Sequence, residues 1–352
     1  MISLTDLVAR IVPVDRGIAA ATQDRLDHKT KPRRSLGRLE DLACRIAAMR
    51  GTLDPHLSSK AIVVMGADHG VADEGVSAYP QAVTRQMLLT FAAGGAAINV
   101  LARQAQARVV VADLGVKERL PAMSNIREWR IGAGTRNFAR EPAMSRAQAE
   151  AAIAAGATIA EELIRNHVTL IGLGDMGIAN TTAASAIVTA LTGAAPKTVT
   201  GRGTGIDDRG LEHKIEVIER ALALHRPNSN DALDVLSKVG GFEIAGLAGV
   251  VLAAAAHRVP VLLDGFITGA AALAAVHLAP PAIDYLIASH QSVEVGHRVV
   301  LTALGLAPLL DLDLRLGEGS GAALAMPLVD AALAILREMA TFESAGVSDS
   351  GA

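Results

Sequence analysis

Aromatic side chains are scarce: one Trp, two Tyr and five Phe make up 2% of 352 residues. The core must therefore be filled by Ala, Val, Leu and Ile, which dominate an apolar share of 51%. Cysteine is almost missing. Cys44 stands alone, so no disulfide forms within the chain, which suits a reducing compartment and a cytoplasmic protein. Cys44 falls at helical spacing in LEDLACRIAAM, the setting of a buried thiol rather than a nucleophile. Concentrated charge of one sign is lacking too: 33 basic residues face 36 acidic ones, for a net charge of -3. Binding nucleic acid needs a dense basic face, so such a partner is not expected. The first residues, MISLTDLVARIVPVDRG, lack the basic start and apolar run of a signal peptide. The most apolar stretch, Ile244–Ala256, falls short of the ~20 residues of a membrane span, and His257 and Arg258 interrupt it. A mean hydropathy of +0.34 thus reflects buried strands and Ala-rich helices.

Glycine is in excess: there are 33, above the ~7% average share. Clustered in loops, glycines let backbone approach a ligand. Residues 1–57 carry apolar side chains at three-to-four spacing in LTDLVARIV, RGIAAATQDRLDH and GRLEDLACRIAAMRG, which predicts helices. Five short aliphatic runs then alternate with Ala-rich helical patterns: Ala61–Met65, Arg108–Ala112, Val168–Ile171, Val259–Leu263 and Tyr285–Ala288. Each ends in a polar or Gly-rich turn. This alternation predicts an α/β fold with a mostly parallel sheet covered on both faces. Ligands of such sheets bind beyond the carboxyl ends of the strands. Met326–Phe342 reads as an amphipathic helix and the last ten residues, ESAGVSDSGA, as a frayed tail. We expect a catalytic domain at 58–325, with 1–57 and 326–352 contributing a small helical subdomain.

Several motifs carry chemistry. GLGDMG (172–177) follows a predicted strand and precedes the helical IANTTAASAIVTAL, matching G-x-G-x-x-G. The dinucleotide reading also requires a ribose-binding acid about 20 residues on. The region TGAAPKTVTG offers none before Asp207, which disfavours a nicotinamide-dependent oxidoreductase. A glycine loop entering a helix still suits a phosphate. Asn180, Thr181 and Thr182 add donors, although either Thr also fits an ordinary helix cap. GRGTGIDD (201–208) precedes Lys214, a point charge for phosphate or carboxylate, or else a solvated helix lysine. SHQSVEVGH (289–297) places His290 and His297 seven apart, which is not a zinc spacing, and Asp68-His69 has no evident third ligand. No metal is expected. Ser289 and Ser292 suit a helix cap or a ligand equally. In RLGEGSG (315–321), Glu318 stands between two glycines before a helix, as a capping carboxylate or as one that other groups can approach closely.

Read together, nine segments point one way: KPRRSLGRLEDLA (31–43), ADHGVADEGVSAYPQAVTRQM (67–87), RNFAREPAM (136–144), GLGDMGIANTT (172–182), GRGTGIDDRGLEHK (201–214), VGGFEIAGLAG (239–249), LLDGFITGAAAL (262–273), SHQSVEVGH (289–297) and LDLRLGEGSGA (312–322). In this order they resemble the nicotinate-nucleotide–dimethylbenzimidazole phosphoribosyltransferase family of cobalamin biosynthesis, from about residue 30 to 340.

The resemblance implies a doubly wound sheet with a small helical domain, a homodimer, and no cofactor. It implies transfer of phosphoribose from nicotinate mononucleotide to 5,6-dimethylbenzimidazole with inversion, releasing nicotinate. By resemblance Glu318 is the general base, with Asp175 and Lys214 at the reacting centre or phosphate. Ser77, Gln86 and Leu316 would lie near the acceptor base. Gly177, Asn180, Gly203, Thr204, Ser292 and Asp264 would hold the phosphoribose. Two positions depart from the family pattern. Asp175 stands where Glu is common, one methylene shorter and in need of a water to reach its partner. Arg34 stands where Gly is usual. Another benzimidazole, a purine or a phenol as acceptor, or a non-catalytic nucleotide-binding subunit, are the competing readings.

Overall fold

The computed structural model describes residues 3–121, 123 and 125–348. Six parallel strands form the central sheet: β1 (Lys60–Ala67), β2 (Ala107–Gly115), β3 (Ile126–Glu128), β4 (Leu170–Met176), β5 (Val261–Leu263) and β6 (Leu286–Ala288). Their order is β3-β2-β1-β4-β5-β6. The chain winds outward from β1, crosses back, and winds outward again from β4. This is the doubly wound α/β arrangement, and its switch point lies between β1 and β4. All eight residues of β1 are buried, as expected for a strand covered on both faces.

Helices Arg146–Arg165, Phe242–Ala256 and Phe266–Leu278 form one layer against the sheet. Helices Ala82–Ala93, Ala97–Gln104 and Ser320–Glu338 form the other, with Arg38–Arg50 packed on the last. The small-residue composition has its use here. A Cβ on Gly156 would strike the Gly246 carbonyl, and one on Gly249 the Ile153 carbonyl, so the two longest helices of the first layer touch backbone to backbone. Helix Ser320–Glu338 is long and apolar enough to cross a bilayer, yet it packs on β4, β5 and the Arg38–Arg50 helix, as a core helix does.

The chain ends meet. Lys29 bridges Thr341, Thr30 N–H donates to the Ala340 carbonyl, and Phe342 N–H donates to that of His28. Cys44 is buried, and burial pushes its thiol up to about 11.

Three local expectations are corrected. The last long helix begins at Ser320, not Met326, and carries Pro327 inside it. The fourth strand runs through the glycines to Met176 instead of stopping at Ile171. Glu343–Ala345, expected to fray, belongs to a helical turn, Phe342–Ala345, closed by a Thr341–Ser344 capping box; the tail at 349–352 lies outside the described residues. β3 and a two-stranded parallel ladder, β7 (His290–Gln291) with β8 (Leu310–Asp311), were not legible in the sequence.

Candidate active site

Asp175 near the end of β4 and Asp264 just after β5 meet the Gly317–Gly319 loop at the carboxyl edge of the sheet. Gly317, Glu318 and Gly319 all have left-handed backbone, with φ of 81°, 64° and 92°. Such a turn is natural for glycine and costs about 1 kcal/mol or more at Glu318. Asp264, at the end of β5, holds it in place. Its Oδ2 accepts Gly319 N–H at 3.0 Å, and its Oδ1 accepts Gly321 N–H at 2.6 Å and Ala322 N–H at 3.4 Å. Asp264 therefore caps the Ser320–Glu338 helix. Burial and the Asp175 charge push its carboxyl up to about 8, against the pull of these three donors.

Because Asp264 does the capping, Glu318 is free of that task. Its carboxylate is 6% exposed and accepts one long hydrogen bond, from Ile98 N–H at 3.4 Å. Burial raises its proton affinity, opposed by the Ile98 N–H. A carboxylate with spare lone pairs and a raised pKa suits proton abstraction near neutral pH.

Asp175 sits at the end of β4, facing Gly317. Its Oδ2 accepts Asn180 Nδ2–H at 2.9 Å. Burial, with the charges of Glu243 and Glu318, raises it to about 7 against the Asn180 bond. Behind it lies a pair that sequence reasoning missed. His69 Nε2–H donates to Glu243 Oε1 over 2.5 Å, and both side chains are fully buried. Burial opposes the charged imidazole, but the charge and hydrogen bond of Glu243, then Asp68 and Asp175, outweigh it and raise the His69 pKa. Gly177 lies over this pair: a Cβ there would stand 3.1 Å from Glu243 Oε1 and 2.6 Å from the Ala67 carbonyl oxygen. The available signal was Glu243 itself, the single acid in the apolar helix FEIAGLAGVVLAAAA.

Lys214 is not a solvated lysine. It is 1% exposed, and Nζ donates to Thr181 Oγ1 at 2.8 Å and the Gly201 carbonyl at 3.1 Å. Burial lowers it to about 8, opposed by the Glu294 charge. Gly203 (φ 51°) wraps this ammonium; a Cβ there would lie 3.3 Å from Nζ. Helix Asn180–Thr192 starts from Ala179 with no side-chain cap, so neither Thr181 nor Thr182 serves as one.

Ser77 and Thr204 share a hydroxyl–hydroxyl bond of 3.2 Å, and Thr204 Oγ1 also accepts Ala78 N–H at 3.0 Å. Residues expected at the acceptor and at the phosphoribose thus touch. Gln86 and Leu316 are exposed, Leu316 at 54%. Ser292 is buried; its N–H donates to His297 Nδ1 at 3.0 Å, and its Oγ accepts Glu294 N–H at 3.3 Å. Burial, with His290 nearby, pushes His297 down to about 3, so it is a neutral acceptor. His290 lies in β7 and not on the helix with His297. Arg34, which stands where the family usually shows Gly, has a left-handed φ of 57°.

A phosphoribosyltransferase profile matches residues 11–347. The nicotinate-nucleotide–dimethylbenzimidazole phosphoribosyltransferases of Roseiflexus sp. (strain RS-1) and Geobacter sulfurreducens are 58% and 52% identical, over 98% and 99% of both chains. The chain belongs to the nicotinate-nucleotide–dimethylbenzimidazole phosphoribosyltransferase family. A crystal structure of CobT from Thermus thermophilus, 50% identical, superposes with a TM-score of 0.91 over 94% of this chain and 99% of that one. The protein is thus a glycosyltransferase-type enzyme of phosphoribosyl transfer, in a family of cobalamin biosynthesis.

Proposed function

We propose that the enzyme moves 5-phosphoribose from nicotinate mononucleotide to 5,6-dimethylbenzimidazole, inverting β to α, and gives α-ribazole 5′-phosphate and nicotinate. The observation that carries this reading is Glu318: a nearly buried carboxylate, released from capping by Asp264 and held at the strand ends. The relatives' names supply the substrates.

The glycosidic C1′–N bond breaks with its electron pair passing to the pyridine nitrogen, so nicotinate departs without a general acid. An imidazole nitrogen of the acceptor attacks C1′ from the opposite face. The other ring nitrogen then loses its proton to Glu318, which keeps the product neutral at the ring. Pairing with Lys214 and the Gly201–Gly205 backbone would hold the phosphate, and Asp175 would stand by the reacting centre. Positioning of two rings supplies much of the remaining rate. The proposal includes a cytoplasmic homodimer; sedimentation of the purified protein reads the oligomeric state.

Two measurements test it. Nicotinate release is expected with 5,6-dimethylbenzimidazole and weaker with a purine or phenol, and the product should be the α anomer by NMR. Release with no base at all would overturn the reading. The second follows from Lys214, which holds its proton below about pH 8. Affinity for nicotinate mononucleotide, read by calorimetry, should fall as pH rises through about 8, because the neutral amine no longer attracts a phosphate. In Lys214→Met the affinity should be low and flat over that range; a wild-type-like pH profile in the variant would remove Lys214 from the phosphate site.

A further inference from the structure

Glu294 is the one acid in SHQSVEVGH, and nothing so far uses it. It stands at the N-cap of helix Val295–Leu304, yet its side chain makes no capping bond. Among the described residues neither of its oxygens accepts a hydrogen bond, and Oε2 is shut off from solvent without a partner. Oε2 packs on Gly201, where any Cβ would collide with it. Gly201 also carries the carbonyl that receives Lys214, and Glu294 lies close enough to raise the lysine's proton affinity. The two nevertheless form no ion pair within 4.0 Å. Glu294 thus borders the expected phosphate cradle as a half-buried carboxylate without a donor; Oε2 is closed in against Gly201, which leaves Oε1 as the oxygen that a ligand reaches.

A carboxylate is an acceptor only. The phosphate and the nicotinate carboxylate of the donor are themselves acceptors at neutral pH, and both would be repelled. The acceptor's N–H is already matched to Glu318. The remaining hydrogen-bond donors among the reactants are the ribose hydroxyls. We infer that Glu294 is a donor-binding residue whose carboxylate accepts the 2′- and 3′-hydroxyls of the phosphoribosyl group, so that phosphate on Lys214 and diol on Glu294 fix the sugar from two sides. This inference rests on the proposed function. An acid on a ribose diol is the role that the G-x-G-x-x-G loop lacked downstream; here it comes from another part of the chain. The hydrogen bond also strengthens as positive charge develops at C1′, so the effect falls on turnover as well as binding.

The test is a cycle of one substitution and one hydroxyl. Affinities and kcat/KM are measured for wild type and Glu294→Gln with nicotinate mononucleotide and its 2′-deoxy and 3′-deoxy analogues. Removing one partner of a charged hydrogen bond should cost about 10- to 100-fold. In wild type at least one deoxy analogue should lose that much affinity; in Glu294→Gln, whose amide oxygen accepts only a weaker, neutral hydrogen bond, the same analogue should lose clearly less. Losses that simply multiply would overturn the inference. If Glu294→Gln does not fold, wild type alone decides: equal affinity for all three nucleotides overturns it, and a loss confined to deoxy analogues supports it. Because binding is read by calorimetry, an enzyme that bound the nucleotides but released no nicotinate would sink the proposed reaction while leaving this result standing.

Discussion

Glu318→Gln is expected to lower nicotinate release by ~10²–10⁴-fold while both substrates still bind. The amide keeps the shape of the side chain but accepts no proton. The Ile98 N–H keeps an acceptor, so the loop retains that contact. Asp264 holds the loop by backbone groups only, which the substitution does not touch. The raised pKa of Glu318, caused by burial, works in the same direction, since a stronger base takes the acceptor's proton more completely in the transition state. Turnover within tenfold of wild type would remove Glu318 from the base role, whatever the fate of the fold.

Gly174→Ala should disable the same base from behind. A Cβ on Gly174 would stand 2.6 Å from the Glu318 carbonyl carbon and 2.8 Å from the Gly319 nitrogen. Neither neighbour is a flexible side chain; both are backbone of the turn that aims Glu318. The turn must shift outward, and a misplacement of about 1 Å at a reacting group costs ~10²-fold. Overpacking adds a stability loss of about 1–3 kcal/mol. Gly172→Ala is the matched control. Its Cβ would meet only side-chain atoms of Ala322, Ile62 and Met326, at 3.1 to 3.2 Å. It should lower the melting temperature with little change in kcat. Equal loss of kcat in the two variants would show that Gly174 acts through stability and not through the position of Glu318.

These two glycines also show where the sequence could be read and where it could not. β1 was plain because Ala61–Met65 is aliphatic throughout and lies at the buried centre of the sheet. β4 was misplaced because Gly172 and Gly174 have poor strand propensity, and the reason they are needed lies elsewhere in the chain. The Glu318 turn packs on Gly174 so closely that a Cβ would not fit, and helix Ser320–Glu338 leaves little room at Gly172. The amphipathic pattern likewise placed a helix start at Met326. The helix instead starts at Ser320, where Asp264, distant in sequence, caps it. Glu318 and Lys214 each allowed two readings from spacing alone. Tertiary contacts separate them: capping is done by Asp264, and Lys214 is buried against Thr181. The His69–Glu243 pair was hidden for the same reason, its members lying on separate elements that only the fold brings together. Arg34 has a left-handed φ of 57°, the region where glycine is at ease.

The most direct test of the account is a crystal structure of the enzyme with nicotinate mononucleotide and 5,6-dimethylbenzimidazole bound together. A Glu318 carboxylate oxygen is expected at about 2.6–3.2 Å from the acceptor's N–H nitrogen, with the second ring nitrogen facing C1′. An acceptor bound in the site with Glu318 turned away from both ring nitrogens would contradict it.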